Sequence, residues 1–135
     1  MVSDEDKTLE ELDGENWGEP DYNSYLVTNC YRLRRVPLKD FTIEDLRLMM
    51  GQEIGLKYLV PVVLERLEEN PLAEGDFYPG DVLKNVLEVS RAFWEQHPKL
   101  RQKMHSIAES AVIQIDAADD DEIKELLKEK LNAFG

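Results

Sequence analysis

The side chains that most often carry chemistry in proteins, histidine and cysteine, are few in this sequence and lack the spacing of a known site. His97 and His105 are eight residues apart, not the four that place two zinc ligands one turn apart on a helix. Neither has a nearby cysteine or second histidine that would complete a zinc set. We therefore interpret both histidines as surface or capping residues.

The acidic run at residues 116–122 resembles a calcium-binding loop only superficially. The EF-hand pattern needs an oxygen-bearing side chain where Ala118 stands and a glycine after Asp120. Acidic residues also favour the first turn of a helix, because they face the positive end of its dipole. We expect this run to cap the final helix.

Nucleophile and phosphate-binding patterns are equally weak. Cys30 has no histidine near it in the sequence and falls on the apolar face of a helical period, which predicts a buried, unreactive thiol. Gly51 and Gly55 are not followed by the Gly-Lys-Ser/Thr of a phosphate-binding loop. The sequence thus predicts no catalytic residue, no metal ligand and no cofactor, and a protein that is not an enzyme.

The strongest candidate for function is the segment 70–81, whose two prolines and two glycines cannot continue a helix. Acidic and aromatic side chains on a rigid loop are typical of a binding face. Phe77 and Tyr78 are neighbours, so we expect one to pack under the loop and the other to face out. Asp81 is predicted to cap the following helix. The predicted partner-binding residues are Glu69, Glu74, Asp76 and Tyr78.

The elements that must position this loop are all predicted to be helical. Helix starts are indicated at Thr8, Thr42 and Asp119, and apolar residues recur at intervals of three and four along most of the chain. Leu56–Glu69 is the most apolar segment and is predicted to be the central helix. We predict an all-α fold: one single-domain irregular bundle of about six helices over residues 1–135, with residues 1–7 flexible. Side chains expected on its core-facing surfaces include Trp17, Tyr22, Leu26, Cys30, Leu33 and Trp94.

The charge of the chain points to a cationic partner. A formal net charge of −13 opposes nonspecific binding to nucleic acid and favours encounter with a positively charged protein. Residues 1–21 hold nine acids and one lysine, whereas residues 31–47 hold five bases and three acids. We expect this polarity along the sequence to appear on the surface as well.

The distribution of apolar residues indicates the cellular compartment of the protein. The residues after Met1 are acidic and no apolar run follows them, unlike a secretory signal. No apolar run reaches the roughly 20 residues that a membrane-spanning helix needs. A single cysteine leaves no intramolecular disulfide. The sequence predicts a soluble cytoplasmic protein that binds neither nucleic acid nor a membrane.

Several separate motifs resemble the immunity proteins of bacterial contact-dependent growth inhibition (CDI) systems. The resemblance covers roughly residues 9–87 and keeps the order and spacing of the motifs. The motifs are NWGEPD (16–21), SYLVT (24–28), RLRRVPL (32–38), FTIEDLR (41–47), GQEIG (51–55) and LEENPLAEGDFYPGDVL (67–83).

The resemblance implies a protein that binds and neutralises the cognate toxin domain of a CDI effector in the bacterial cytoplasm. Its partner would be the C-terminal toxin domain of that effector, basic in charge and in many such systems a nuclease. The toxin and the oligomeric state stay open. Two other interpretations also stay open: an acidic helical adaptor or regulatory module that binds a basic protein, and a small metal-dependent hydrolase. Toxin contacts on residues 88–135, where the resemblance fades, are the alternative to the loop.

Overall fold

The computed structural model describes residues 4–20, 24–117 and 120–134, and within these ranges the chain is all-α, as predicted. These ranges contain eight α-helices, more than the six or so expected, because the short α1 and α6 stand as separate helices. Two 3₁₀ turns, Asp4–Asp6 and Leu38–Asp40, complete the described secondary structure. The helices are α1 (Leu9–Asp13), α2 (Tyr25–Leu33), α3 (Ile43–Gly51), α4 (Leu56–Glu69), α5 (Asp81–Leu87), α6 (Arg91–Gln96), α7 (Pro98–Asp116) and α8 (Asp121–Ala133).

The helix starts follow local sequence signals. Thr8 and Thr42 each form the predicted capping box. The threonine hydroxyl accepts a hydrogen bond from the backbone N–H three residues later. The acidic side chain of that later residue accepts one from the backbone N–H of the threonine. The last helix begins one residue later than expected. Its cap is Asp120, whose carboxylate accepts from the N–H of Ile123 over 3.1 Å. Asp119 lies outside the described residues.

The α4 helix is deeply buried in the core, and its place at the centre of the fold stays a prediction. This helix packs against α3 and α7, while α5 packs against α3 and α8. Burial on several sides explains why α4 carries the longest apolar pattern. Pro61 lies inside α4, which begins at Leu56. Five α4 side chains have no exposed surface at all: Leu59, Val60, Val63, Leu64 and Leu67.

The predicted core-facing side chains of α2 separate into two groups. Cys30 and Leu33 are buried, and burial raises the pKa of the Cys30 thiol. Leu26 is 37% exposed, so its assignment to the core was wrong. Tyr22 lies outside the described residues. The helix starts at Tyr25, with Ser24 as its cap, so the sequence period extends further than the helix itself.

The two tryptophans also differ. Trp94 is buried as expected, but Trp17 is 38% exposed and does not belong to the core. The ring of Trp17 instead covers a buried cation, with the guanidinium carbon of Arg34 4.4 Å from its centroid. Tyr31 meets the same ring edge-on at 5.2 Å. Trp17 therefore shields Arg34 from water on one side.

The acidic N-terminal segment and the basic segment at residues 31–47 lie against each other. The predicted separation of charge on the surface is wrong for this pair of segments, because three of the five bases in 31–47 form ion pairs with acids of the N-terminal segment. Arg34 is buried, and its guanidinium donates to both carboxylate oxygens of Asp13 over 2.8 and 2.9 Å. The pairs that join the two segments are Arg34 with Asp13, Arg35 with Glu10 and Glu19, and Lys39 with Asp6.

Candidate partner-binding surface

The 70–81 loop is held from inside by the carboxylate of Asp81, which is 2% exposed. The backbone N–H of Gly75 donates to Oδ1 of Asp81 over 2.7 Å. The N–H groups of Phe77 and Tyr78 point to Oδ2 over 3.1 and 3.4 Å. One buried side chain thus satisfies three loop donors that would otherwise lack partners.

Asp81 does not cap its own helix, so that prediction was wrong. The N-cap of α5 is Gly80, whose φ of 89° lies in the left-handed region that favours glycine. This residue completes the turn one position earlier than expected, and Asp81 becomes the first residue of the helix. The carboxylate is then free to turn back into the loop. The same buried aspartate therefore starts the helix and organises the loop before it.

A second anchor reaches the loop from α3. Glu44 accepts from Nε and Nη2 of Arg47, each over 2.6 Å, and its Oε1 also accepts from the backbone N–H of Asp76 over 2.9 Å. The hydrogen bonds from Arg47 are the main reason why the pKa of Glu44 lies below its ordinary value; burial opposes the shift and the Asp76 N–H supports it. The loop backbone is therefore fixed by an ionised side chain from a distant part of the sequence.

Gly75 is where the two anchors meet. A Cβ atom at this position would lie 2.6 Å from Oε1 of Glu44 and 3.0 Å from Oδ2 of Asp81. Both oxygens already accept hydrogen bonds from the loop, so neither can move away without losing one. Close approach of two carboxylates to the backbone requires glycine here.

The predicted binding residues lie on or next to this anchored loop. Glu74 and Asp76 are exposed, and Glu69 is the exposed last residue of α4. Within the described ranges, none of these three carboxylates forms an ion pair. By contrast, several acids of the N-terminal segment form ion pairs with bases of residues 31–47. The three carboxylates are available to a partner.

The two aromatic residues of the loop divide as expected into one inward and one outward side chain. Tyr78 is half-buried, and burial is the main cause that raises the pKa of its hydroxyl. Phe77 is 68% exposed. The outward side chain is thus Phe77, which was not among the predicted binding residues; the role of Tyr78 in binding stays a prediction. No local sequence signal separates the two, because the contact that Phe77 makes with Arg47 joins distant parts of the chain.

The histidines occupy packing positions. The ring of His97 stacks on Phe93 with 4.3 Å between centroids, and its Nδ1 lies 2.9 Å from the Phe93 carbonyl oxygen. The ring of His105 packs 4.9 Å from that of Phe134. In the part of the chain that the structure describes, no three His, Cys, Asp or Glu side chains come together in a way that could hold a metal ion.

A second surface lies toward the C-terminus, on the described part of residues 88–135. A cavity of about 270 Å³ opens between α6 and α8, with Trp94 and Phe134 in its wall and Arg91 and Lys130 among its charged residues. On α7, Ile113 is 73% exposed. This C-terminal surface is the alternative to the 70–81 loop.

None of the helices in the three described ranges combines the length and the apolar character that crossing a membrane requires.

Comparison with known proteins identifies the family. Residues 11–104 match a family model described as CDI immunity proteins. The matched region runs from α1 into α7 and includes the whole 70–81 loop with both of its anchors. Searches of curated proteins and of solved structures found no match. Because the family model matches more than half of the chain, the resemblance is confirmed: the chain belongs to the family of CDI immunity proteins.

Proposed function

We propose that this protein protects a bacterial cell by binding the cognate toxin domain of a CDI effector in the cytoplasm and blocking its activity without catalysis. Membership of the family supports the general role, since immunity proteins neutralise toxins. The identity of the bound surface is a separate part of the proposal. The 70–81 loop and the end of α4 form that surface, with Glu69, Glu74, Asp76 and Tyr78 as contacts.

The observation that carries this assignment is the contrast between paired and unpaired acids. The bases of residues 31–47 are each engaged by an acid within the protein. Glu69, Glu74 and Asp76 are exposed and form no direct ion pair among the described residues, although Asp76 is among the acids that raise the pKa of Arg47. Fixed, unpaired carboxylates attract a cationic protein and raise its association rate.

The chemistry of this surface suits a basic toxin domain. A nuclease must attract phosphate groups, and it does so with Lys and Arg side chains around its cleft. Carboxylates presented on a rigid loop would compete with phosphate for those side chains. We therefore propose a basic toxin domain as the partner, with a nuclease as the activity that best fits an acidic inhibitor.

Growth rescue tests the proposed role. The toxin would be the C-terminal domain of the effector encoded beside this protein, expressed from an inducible promoter in a sensitive host. We expect the toxin alone to stop growth and co-expression of this protein to restore it. Continued arrest with well-expressed, folded protein would contradict the role. Binding to several unrelated basic proteins with similar affinity would favour an adaptor instead.

Charge reversal tests the proposed surface. A variant with Lys at Glu69, Glu74 and Asp76 should associate with the toxin at least about tenfold more slowly at low salt, and its association rate should depend less on salt. A matched control with Lys at three exposed acids of α7 and α8 has the same net charge. Loss of binding only in the control would move the contact surface to the C-terminal helices. The control positions are Glu109, Glu125 and Glu129.

A further inference from the structure

Phe77 is the one large apolar side chain of the 70–81 loop that projects into solvent, with 68% of its surface exposed. Burial of a phenylalanine contributes about 1.5–3 kcal/mol to stability, and an exposed one forgoes most of that. The fold therefore gains little from an aromatic residue at this position. An aromatic side chain with little structural benefit in an acidic surface is suited to contact with a partner.

The loop fixes the backbone on both sides of this ring. The N–H of Phe77 donates to Asp81, and the N–H of the preceding residue, Asp76, donates to Glu44. An isolated antiparallel bridge between Glu74 and Pro79 closes the loop around them. Binding through a side chain whose backbone is already ordered loses less conformational entropy.

The ring itself packs on a cation. The guanidinium carbon of Arg47 lies 4.4 Å from the centroid of Phe77, which supports the ring. Most of the Phe77 side chain stays exposed, and the same loop carries the exposed acids Glu74 and Asp76. This arrangement presents an apolar centre with acidic neighbours, which matches the plan of an interface hot spot with a polar rim.

We propose that Phe77 is the apolar anchor of the toxin complex, and that it enters an apolar pocket on the toxin surface whose rim carries Lys or Arg side chains. This inference rests on the proposed function, because it specifies how the same loop binds its partner. The charge of the loop selects a cationic rim, and the exposed ring selects an apolar pocket within it. Tyr78, the next residue, is half-buried and offers the partner a smaller exposed surface than Phe77.

Dissociation kinetics of the Phe77→Ala variant test the anchor. The probe is the cognate toxin domain made inactive by substitution of its own catalytic residue. We expect Kd to rise about 30-fold or more, mainly through faster dissociation. The Phe77→Leu variant, which keeps an apolar side chain, should lose less affinity than Phe77→Ala. Because Phe77 is exposed, the Tm of both variants should stay within about 3 °C of the wild type.

A matched control removes an equally exposed apolar side chain elsewhere. Ile113 on α7 is 73% exposed, and Ile113→Ala should leave Kd unchanged within about twofold. If the wild type binds tightly and the Kd of Phe77→Ala is within threefold of the wild-type value, Phe77 is not the anchor and the proposed function stands. If the wild type itself does not bind the toxin domain, the proposed function fails, and the anchor fails with it.

Discussion

The guanidinium of Arg47 and the ring of Phe77 stack at 4.4 Å, so a cation of α3 supports the most exposed aromatic side chain of the 70–81 loop. Glu44 holds the same guanidinium with two hydrogen bonds of 2.6 Å and also accepts from the loop backbone at Asp76. One ion pair thus positions both the ring and the chain that carries it. The candidate binding surface is therefore built by contacts between distant segments.

The role of Asp81 as the inner anchor predicts a loss of stability on Asp81→Asn. An amide keeps the shape but replaces one accepting oxygen with a donor, so at least one loop N–H loses its partner. The free energy of unfolding should fall by about 1–3 kcal/mol, measured by urea titration.

Asp121 provides the control, since it is also the first residue of its helix but is exposed. Asp121→Asn should change stability by no more than about 0.5–1 kcal/mol, which is the size of a helix-dipole effect. Equal losses in the two variants would show that Asp81 acts only through the helix terminus.

The helix starts and the loop anchor show what the sequence can and cannot predict. The capping boxes at Thr8 and Thr42 were predictable because both hydrogen bonds of each box join residues three apart. The role of Asp81 was missed because Gly80 takes the capping position and the carboxylate serves the loop. A helix-cap signal is local, whereas the direction of a side chain at that cap depends on what surrounds it.

Glu44 predicts a specific dependence of stability on pH. Its pKa in the folded protein lies below the ordinary value of 4.5, because Arg47 stabilises the ionised form. A lowered pKa contributes stability that is complete above the ordinary value and is lost as pH falls through the folded value. Glu44→Gln should therefore cost about 1.5–3 kcal/mol at pH 7 and progressively less below pH 4.5. Urea unfolding of both proteins from pH 7 to pH 3 measures this difference; a constant or growing difference would contradict the assignment.

Because Arg34 is buried, its substitution should destabilise the protein much more than substitution of the neighbouring Arg35. Arg34 is 2% exposed and bonded to both oxygens of Asp13, whereas the side chain of Arg35 is 42% exposed. Arg34→Met should lower the free energy of unfolding by about 1.5–3 kcal/mol through loss of charge-assisted hydrogen bonds. Arg35→Met removes two exposed ion pairs, with Glu10 and Glu19, and a hydrogen bond to the Gly18 carbonyl, all of which water screens or replaces, so it should lower stability much less than Arg34→Met. Similar effects of the two substitutions on urea unfolding would argue against a structural role for the Arg34 contacts.

The same arginine shows why some contacts of the fold could not be predicted from the sequence. Residues 32–38 contain three arginines, and nothing in their spacing indicates that Arg34 alone is buried. Its partner Asp13 lies in a segment whose position depends on the folded structure. The contact of Phe77 with Arg47 has a similar origin, because it joins residues 30 positions apart. Contacts between distant segments do not appear in local sequence patterns.

The burial of α4 predicts that truncating one of its core side chains leaves a destabilising cavity. Leu64 has no exposed surface, so Leu64→Ala should lower the free energy of unfolding by about 2–5 kcal/mol. Glu65→Ala, at the next and exposed position of the same helix, should change it by less than about 0.5 kcal/mol. A loss below about 1 kcal/mol for Leu64→Ala would place α4 at the periphery of the fold.

Titration of toxin activity tests most directly the claim that this protein neutralises a toxin by binding it. The purified cognate toxin domain is held at a concentration well above Kd, and its activity is measured as this protein is added. Stoichiometric inhibition predicts that activity falls linearly and reaches its minimum at one protein per toxin domain. Full activity at a tenfold excess of folded protein would contradict the account.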